Sequence, residues 1–385
     1  MQINNEINKH AQAIESFIAN KIAIHGPISF YDFMRHALYE PGLGYYSAGS
    51  NKFGSTGDFV TAPEISGLFG KTIAANICSM SFNDSASTNG IEILELGPGS
   101  GALALTIQDY FAEKNIPLKY NLLEVSAELK QQQQLTLQKY QAQTTWLDKL
   151  PEKFTGIILA NEVLDAMPVH RFTTANDHKI LEHFVSYKKQ KFELELIETK
   201  NKDLIMQLDN LNIKLPANYT SEINLALPSW TKALSSSLQQ GAVIIIDYGY
   251  NCKEYYNEQR TDGTLKCFYR HTSSNNPLCN VGLQDISAHV NFSTLAINAT
   301  QHGLDIAGFT TQAHFLMNAG ILGIATAQYE SEPLKTAAEL KMLTMPSQMG
   351  ETCKVMGFTK NLENETLAGF CNYNKAPSLW AHLGE

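Results

Sequence analysis

An α/β fold built on a mostly parallel sheet is predicted by three features of this 385-residue chain. The first is the apolar strand Ile91-Glu-Ile-Leu-Glu-Leu96, which runs into glycines at 97, 99 and 101 and then into a helical pattern. Such a strand–turn–helix unit removes side chains that would keep backbone away from a nucleotide-like ligand. The second is a set of apolar strands with acidic or amide tips at Glu124 and at Asn161-Glu162; α/β sheets place their binding crevice at that C-terminal edge. The third is Ala242-Val-Ile-Ile-Ile-Asp-Tyr-Gly249, β-branched over 243–246 as a central parallel strand should be.

Taken in order, Ile3, Ile7, Ile14, Phe17 and Ile18 predict a first helix, and Ser29 with Asp32 predicts the cap of a second. A breaker-rich stretch then carries Gly42, Gly44, Gly49, Gly54 and Gly57, an irregular loop long enough to act as a lid. Asp58 and Thr61 lie beside it. Pro63 and Glu64 suit the first turn of a following helix, so capping and function both stay open for them. After the glycine turn come a helix over 101–111, a strand ending at Leu122-Leu123, a helix capped by Ser126, and a short strand near Trp146. Trp146 could flank an adenine or simply fill core. A fourth strand ends in Asn161, Glu162 and Asp165, polar groups that are costly to bury unless they bind something.

Period-two alternation over 178–198, with a polar turn at Lys188-Lys189-Gln190, predicts a β-hairpin. It interrupts the strand–helix rhythm and is a candidate partner surface, with a homodimer left open. Asp247 and Tyr248 tip the central strand, and a polar excursion over 250–290 includes His289, a residue type more often structural than catalytic. The rhythm then resumes to a final strand over 354–359. The expected organisation is a helical extension and lid loop (1–90), a cofactor-binding half (91–170), an inserted hairpin or lid (171–235), and a second half of the core (236–385).

A net charge of −9 without a dense Lys/Arg cluster argues against nucleic acid and favours a cationic substrate or basic partner. The six cysteines form no Cys-x-x-Cys pair, so no metal site is expected. No apolar run reaches membrane-spanning length. The first residues contain neither a basic n-region nor an apolar h-region, which leads to the expectation of a cytoplasmic protein.

Two cofactors compete for the glycine turn. Gly97, Gly99 and Ala102 with Glu124 fit a dinucleotide pattern. Glu95 and Gly101 fit instead an S-adenosylmethionine (SAM) site, because a carboxylate beside the first glycine suits an ammonium and a sulfonium better than a pyrophosphate. Glu124 could accept both hydroxyls of a ribose.

Six segments occur in a specific order: Gly57-Asp-Phe-Val-Thr-Ala-Pro-Glu-Ile-Ser66, Leu94-Glu-Leu-Gly-Pro-Gly-Ser-Gly101, Leu123-Glu-Val-Ser126, Ala160-Asn-Glu-Val-Leu-Asp-Ala-Met-Pro-Val-His170, Ile246-Asp-Tyr-Gly-Tyr250 and Ser287-Ala-His-Val-Asn-Phe292. Together they resemble the MidA family of class I SAM-dependent methyltransferases over residues 26–359. Val163-Leu164 stands where aromatics are usual and Asn291 where Asp is usual, and residues 270–282 are less typical. The resemblance implies a Rossmann-like, seven-stranded, mostly parallel sheet with a helical N-terminal extension and inserted hairpin or lid segments. It also implies SAM as cofactor and methylation of an accessible arginine on a protein partner; the family's mitochondrial members act on a complex I subunit during its assembly.

In that setting Glu162 and Asp165, with Asn161 as orienter and Asp58 from the lid, are expected to hold the guanidinium. Glu95, Gly97, Gly99, Gly101, Glu124, Trp146 and Asn161 are expected around the cofactor, and Thr61, Glu64, Asp247, Tyr248 and His289 on the substrate side. A non-catalytic SAM-binding assembly factor and an NAD(P)-dependent oxidoreductase remain the alternatives.

Overall fold

The computed structural model describes residues 2–47, 61–80, 90–362 and 366–383. The first helix, α1 (Gln2–His25), buries Ile14, Ile18 and Ile22 at helical spacing. After β1 (Ile28–Ser29), the Ser29 hydroxyl accepts the Asp32 amide at 3.1 Å and so caps α2 (Phe30–Tyr39). Pro63 occupies the first turn of α3 (Ala62–Ile65), where its missing N–H is no loss, and Ser66 caps α4 (Gly67–Cys78). Strand and helix then alternate through β2 (Ile91–Leu96), α5 (Ala102–Glu113), β3 (Leu118–Leu123), α6 (Ala127–Thr136), β4 (Thr144–Leu147) and β5 (Phe154–Asn161).

An interruption follows, formed by β6 (His170–Thr174), β7 (Ile180–Lys188), β8 (Lys191–Glu198), α7 (Lys202–Asn210) and β9 (Thr220–Ile223). The core resumes with α8 (Leu227–Ser237) and β10 (Leu238–Tyr250), and a second excursion holds α9 (Cys252–Tyr255), β11 (Lys266–Tyr269), β12 (Thr272–Ser274) and β13 (Asp285–Ser287). The chain closes through β14 (Val290–Asn291), α10 (Phe292–Gln301), β15 (Asp305–Thr311), α11 (Gln312–Asn318), α12 (Ile321–Tyr329), α13 (Pro333–Thr344), α14 (Met349–Thr352) and β16 (Cys353–Lys360).

The main sheet has the seven-strand order β15-β16-β10-β5-β2-β3-β4, with β14 added along the end of β10. From β10 to β4 every pairing is parallel, and β16 alone runs antiparallel to both its neighbours. This is the mostly parallel, Rossmann-like sheet that the sequence predicts. Its two faces follow the strand period: Ala242, Ile244 and Ile246 of β10 join the core under α4 and α5, while Val243 and Ile245 join the core under α8 and α10. Each of these buried Val and Ile side chains contributes about 1.5–3 kcal/mol by leaving water.

The hairpin over 178–198 belongs to a second sheet of order β1-β7-β6-β9, with β8 on the other edge of β7. Lys189 and Gln190 have φ of +48° and +61°, the pair of left-handed residues a two-residue hairpin turn requires. One face of this sheet packs on the N-terminal helices, with the Phe33 and Phe192 rings 5.5 Å apart and Tyr187 donating to Glu15 Oε1 at 2.9 Å. The excursion over 250–290 is more ordered than its polar sequence suggests: β12, β11 and β13 make a third, antiparallel sheet. Among the described residues no helix is long and apolar enough to cross a membrane.

Candidate active site

The turn after β2 is built by three glycines in the left-handed region, with φ of +58° at Gly97, +55° at Gly99 and +86° at Gly101. A side chain there is strained by backbone alone. Gln133 of α6 braces the turn, donating to the Gly99 carbonyl at 2.8 Å and to Glu124 Oε2 at 3.0 Å. Above the turn lies a cavity of about 320 Å³. Its lining includes Glu95, the backbone from Gly97 to Ser100, Glu124, Asn161 and Glu162, with Tyr39, Tyr46, Leu150 and Trp230 as apolar walls. Glu95 accepts a hydrogen bond from Tyr120 at 2.9 Å, and burial pushes its carboxyl up to about 7. Glu124 accepts the Ser126 amide at 2.8 Å.

The tip of β5 is held by β10. Glu162 has φ of +52°, a strained conformation for a residue with a side chain. Its amide donates to the Ile246 carbonyl at 2.8 Å. Asp247, fully buried, receives the amides of Val163, Leu164 and Asp165 on Oδ2 at 3.1, 2.8 and 3.4 Å, and its own neighbour Tyr248 on Oδ1 at 2.8 Å. Those contacts lock the turn that aims Glu162 and Asp165.

Glu162 and Tyr46 line this cavity and also a second chamber of about 370 Å³. The chamber adds Asp165, Asp285, Tyr248 and His289. Burial raises the Glu162 carboxyl to about 8, helped by the charge of Asp247, although the Ala62 amide donates to it. Asp165 rises for the same two reasons. His289 is pushed down to about 3 by burial and by Arg260, so its ring is neutral. Lys266 also lines the chamber, with its ammonium donating to Asn275 Oδ1 at 2.8 Å.

Several expected positions need correction. Trp146 is absent from the lining of the cofactor cavity; its indole donates instead to Gln133 Oε1 at 3.1 Å, behind the glycine turn. Trp230 of α8 supplies the aromatic wall. Asp247 touches neither chamber, because its carboxylate is spent on the backbone amides above. Thr61 and Glu64 face the cofactor cavity and not the acidic chamber, with Glu64 Oε1 accepting from Ser100 Oγ in the glycine turn. Tyr248 and His289 do line the acidic chamber. Asp58 and residues 48–60 of the expected lid lie outside the described residues.

Asp285, Tyr39, Tyr46 and Trp230 are among the lining residues that escape sequence reasoning. Asp285 could have been found from its place two residues before Ser287, on the same face of one strand. Tyr39, Tyr46 and Trp230 carry no signal that separates them from core aromatics.

Residues 72–310 match the S-adenosyl-L-methionine-dependent methyltransferase family Methyltransf_28. The chain belongs to that family. A Burkholderia thailandensis protein, solved bound to S-adenosyl-homocysteine, is 33% identical with a TM-score of 0.90, covering 97% of this chain and 98% of its own. The zebrafish mitochondrial protein arginine methyltransferase NDUFAF7 is 29% identical, covering 91% of this chain and 86% of its own length. Its rat counterpart is 29% identical over 82% and 76% respectively. The zebrafish and rat relatives are mitochondrial proteins, which overturns the cytoplasmic location expected from the N-terminal residues.

The cavity suits the family's cofactor. Asn161 Oδ1 is buried without a hydrogen-bond partner on its wall, and no Lys or Arg is among the described residues lining it. A pyrophosphate would find little positive charge there, whereas a cationic methionine moiety meets Glu95. Glu95, the glycine turn and Asn161 would hold the amino-acid end of SAM, and Glu124 its ribose. When bound, SAM supplies an electrophilic methyl group on a sulfonium.

Gly97→Ala is expected to weaken SAM binding and to cost about 1–2 kcal/mol of stability, since its Cβ would also sit 3.1 Å from Val163 Cγ2. Calorimetry and urea unfolding would measure both effects.

The raised carboxyls make a second prediction. A carboxyl with a higher pKa folded than unfolded binds more protons in the native state, so its contribution to stability is present at low pH and lost as pH rises. With Glu162 at about 8 against an ordinary 4.5, the stability of the ligand-free protein relative to Glu162→Gln should fall across that window. Urea midpoints of the two proteins, measured from the acid to the alkaline end of the window, would check it; a wild-type midpoint that rises relative to the variant's with pH would contradict it.

Proposed function

We propose that this methyltransferase modifies an arginine side chain on a protein partner. The observation that carries the reading is the acidic chamber that meets the cofactor cavity at Glu162 and Tyr46. A guanidinium is charged at any working pH and presents five N–H donors in a planar fork, which carboxylates can hold by paired, charge-assisted hydrogen bonds. Glu162 and Asp165, aimed by the Asp247 clamp, would fix one nitrogen towards the methyl group and suppress its rotation. A guanidinium that gains a methyl must also shed a proton to remain a monocation. Glu162 stands at the junction of the two chambers to accept it, and its raised pKa suits a base near neutral pH.

The arginine methyltransferase names of the relatives support the same substrate. The partner implied by the family resemblance, a respiratory complex I-type subunit, is the first to test. Mass spectrometry of methylated arginine in cells with and without the gene is expected to show one or a few sites that vanish with it. An unchanged arginine methylome would count against the reading. A non-catalytic SAM-binding scaffold would have no use for a strained Glu162 beside the cofactor cavity, and would tolerate its replacement.

A further inference from the structure

The acidic chamber has a third carboxylate that the sequence motifs do not reach. Asp285 is 2% exposed, and both its oxygens are fixed: Tyr46 donates to Oδ1 at 2.8 Å and Ser287 to Oδ2 at 2.6 Å. These two bonds take up two of the roughly four lone-pair sites of a carboxylate. Tyr46 is itself anchored, since its ring stacks on Tyr39 at 5.4 Å and the Tyr39 hydroxyl donates to the Ala166 carbonyl at 2.9 Å. That carbonyl lies one residue past Asp165. The segment around Tyr39–Tyr46 therefore ties Asp285 to the turn that carries Glu162 and Asp165.

We propose that Asp285, held by Tyr46 and Ser287, contacts the substrate guanidinium as a third carboxylate and makes the chamber select arginine over lysine. The inference rests on the arginine reading and deepens it. Carboxylates from two separate elements, the β5 tip and β13, converge on one chamber. A guanidinium has donors on three nitrogens and can engage both elements at once; an ammonium concentrates its donors on one atom. Tyr46 and Ser287 act as positioning residues.

The test uses the full chain saturated with S-adenosyl-homocysteine and two probes, N-acetyl-arginine amide and N-acetyl-lysine amide, titrated by ligand-observed NMR. Wild type is expected to prefer the arginine probe. Asp285→Asn should weaken that probe by roughly tenfold or more, the range for losing a hydrogen bond to a charged group, while leaving the lysine probe and S-adenosyl-homocysteine affinity nearly unchanged. Tyr46→Phe and Ser287→Ala keep the carboxylate but release it, and should each weaken the arginine probe by a smaller factor.

Equal arginine-probe affinity in wild type and Asp285→Asn would overturn the inference while leaving the arginine reading intact. Should Asp285→Asn fail to fold, unchanged affinity in both Tyr46→Phe and Ser287→Ala would overturn it instead. A wild type without preference for the arginine probe sinks the arginine reading itself.

Discussion

Glu162→Gln is expected to bind SAM nearly as well as wild type and to lose methyl transfer by about 10²–10³-fold, the scale on which removing one preorganised electrostatic group acts. The substitution keeps the shape of the side chain and its amide contact with Ile246, so the cofactor cavity should survive. What it removes is the charge shared between the two chambers and the group placed to take a proton. Calorimetry with SAM and single-turnover methylation separate those effects. Lost SAM affinity with the rate per bound complex unchanged would mean that Glu162 belongs to the cofactor and not to the chemistry.

Asp247→Ala should be the most destabilising single change near the site, by about 3–5 kcal/mol in urea unfolding, the range for stripping the partner from a buried charged network. The reason is local: the substitution strands the amides of Val163, Leu164, Asp165 and Tyr248, which now share one carboxylate. Because the same contacts hold Glu162 at its positive φ, activity should fall further than the folded fraction accounts for. A variant as stable as wild type would show that the amides find other partners.

How much of this is legible in the sequence depends on whether a feature is local. The core is legible because β2, β5 and β10 are rich in Ile, Leu and Val and because three glycines within five residues mark the turn that follows β2. Glu95, Glu124, Asn161 and Glu162 follow from their position at strand tips. Asp247 sits at an equally suggestive tip, yet its carboxylate turns inward to serve backbone amides one strand away, and no local pattern distinguishes that from facing a ligand. Trp146 misleads for a related reason, since its indole donates to Gln133, which holds the Gly99 carbonyl, and it lines no part of the cavity. The chamber itself is assembled from Tyr46, Glu162 and Asp285, separated by more than a hundred residues at each step, and only the tertiary fold brings them together.

The central claim is that Glu162 commits the cofactor's methyl group to an arginine. Purified protein given trideuteromethyl-labelled SAM and an extract from cells lacking the gene tests it most directly. Tandem mass spectrometry should find the label on an arginine side-chain nitrogen of a discrete protein, and Glu162→Gln should slow its appearance by about 10²–10³-fold. Label on another residue type, or equal labelling by both proteins, would contradict the account.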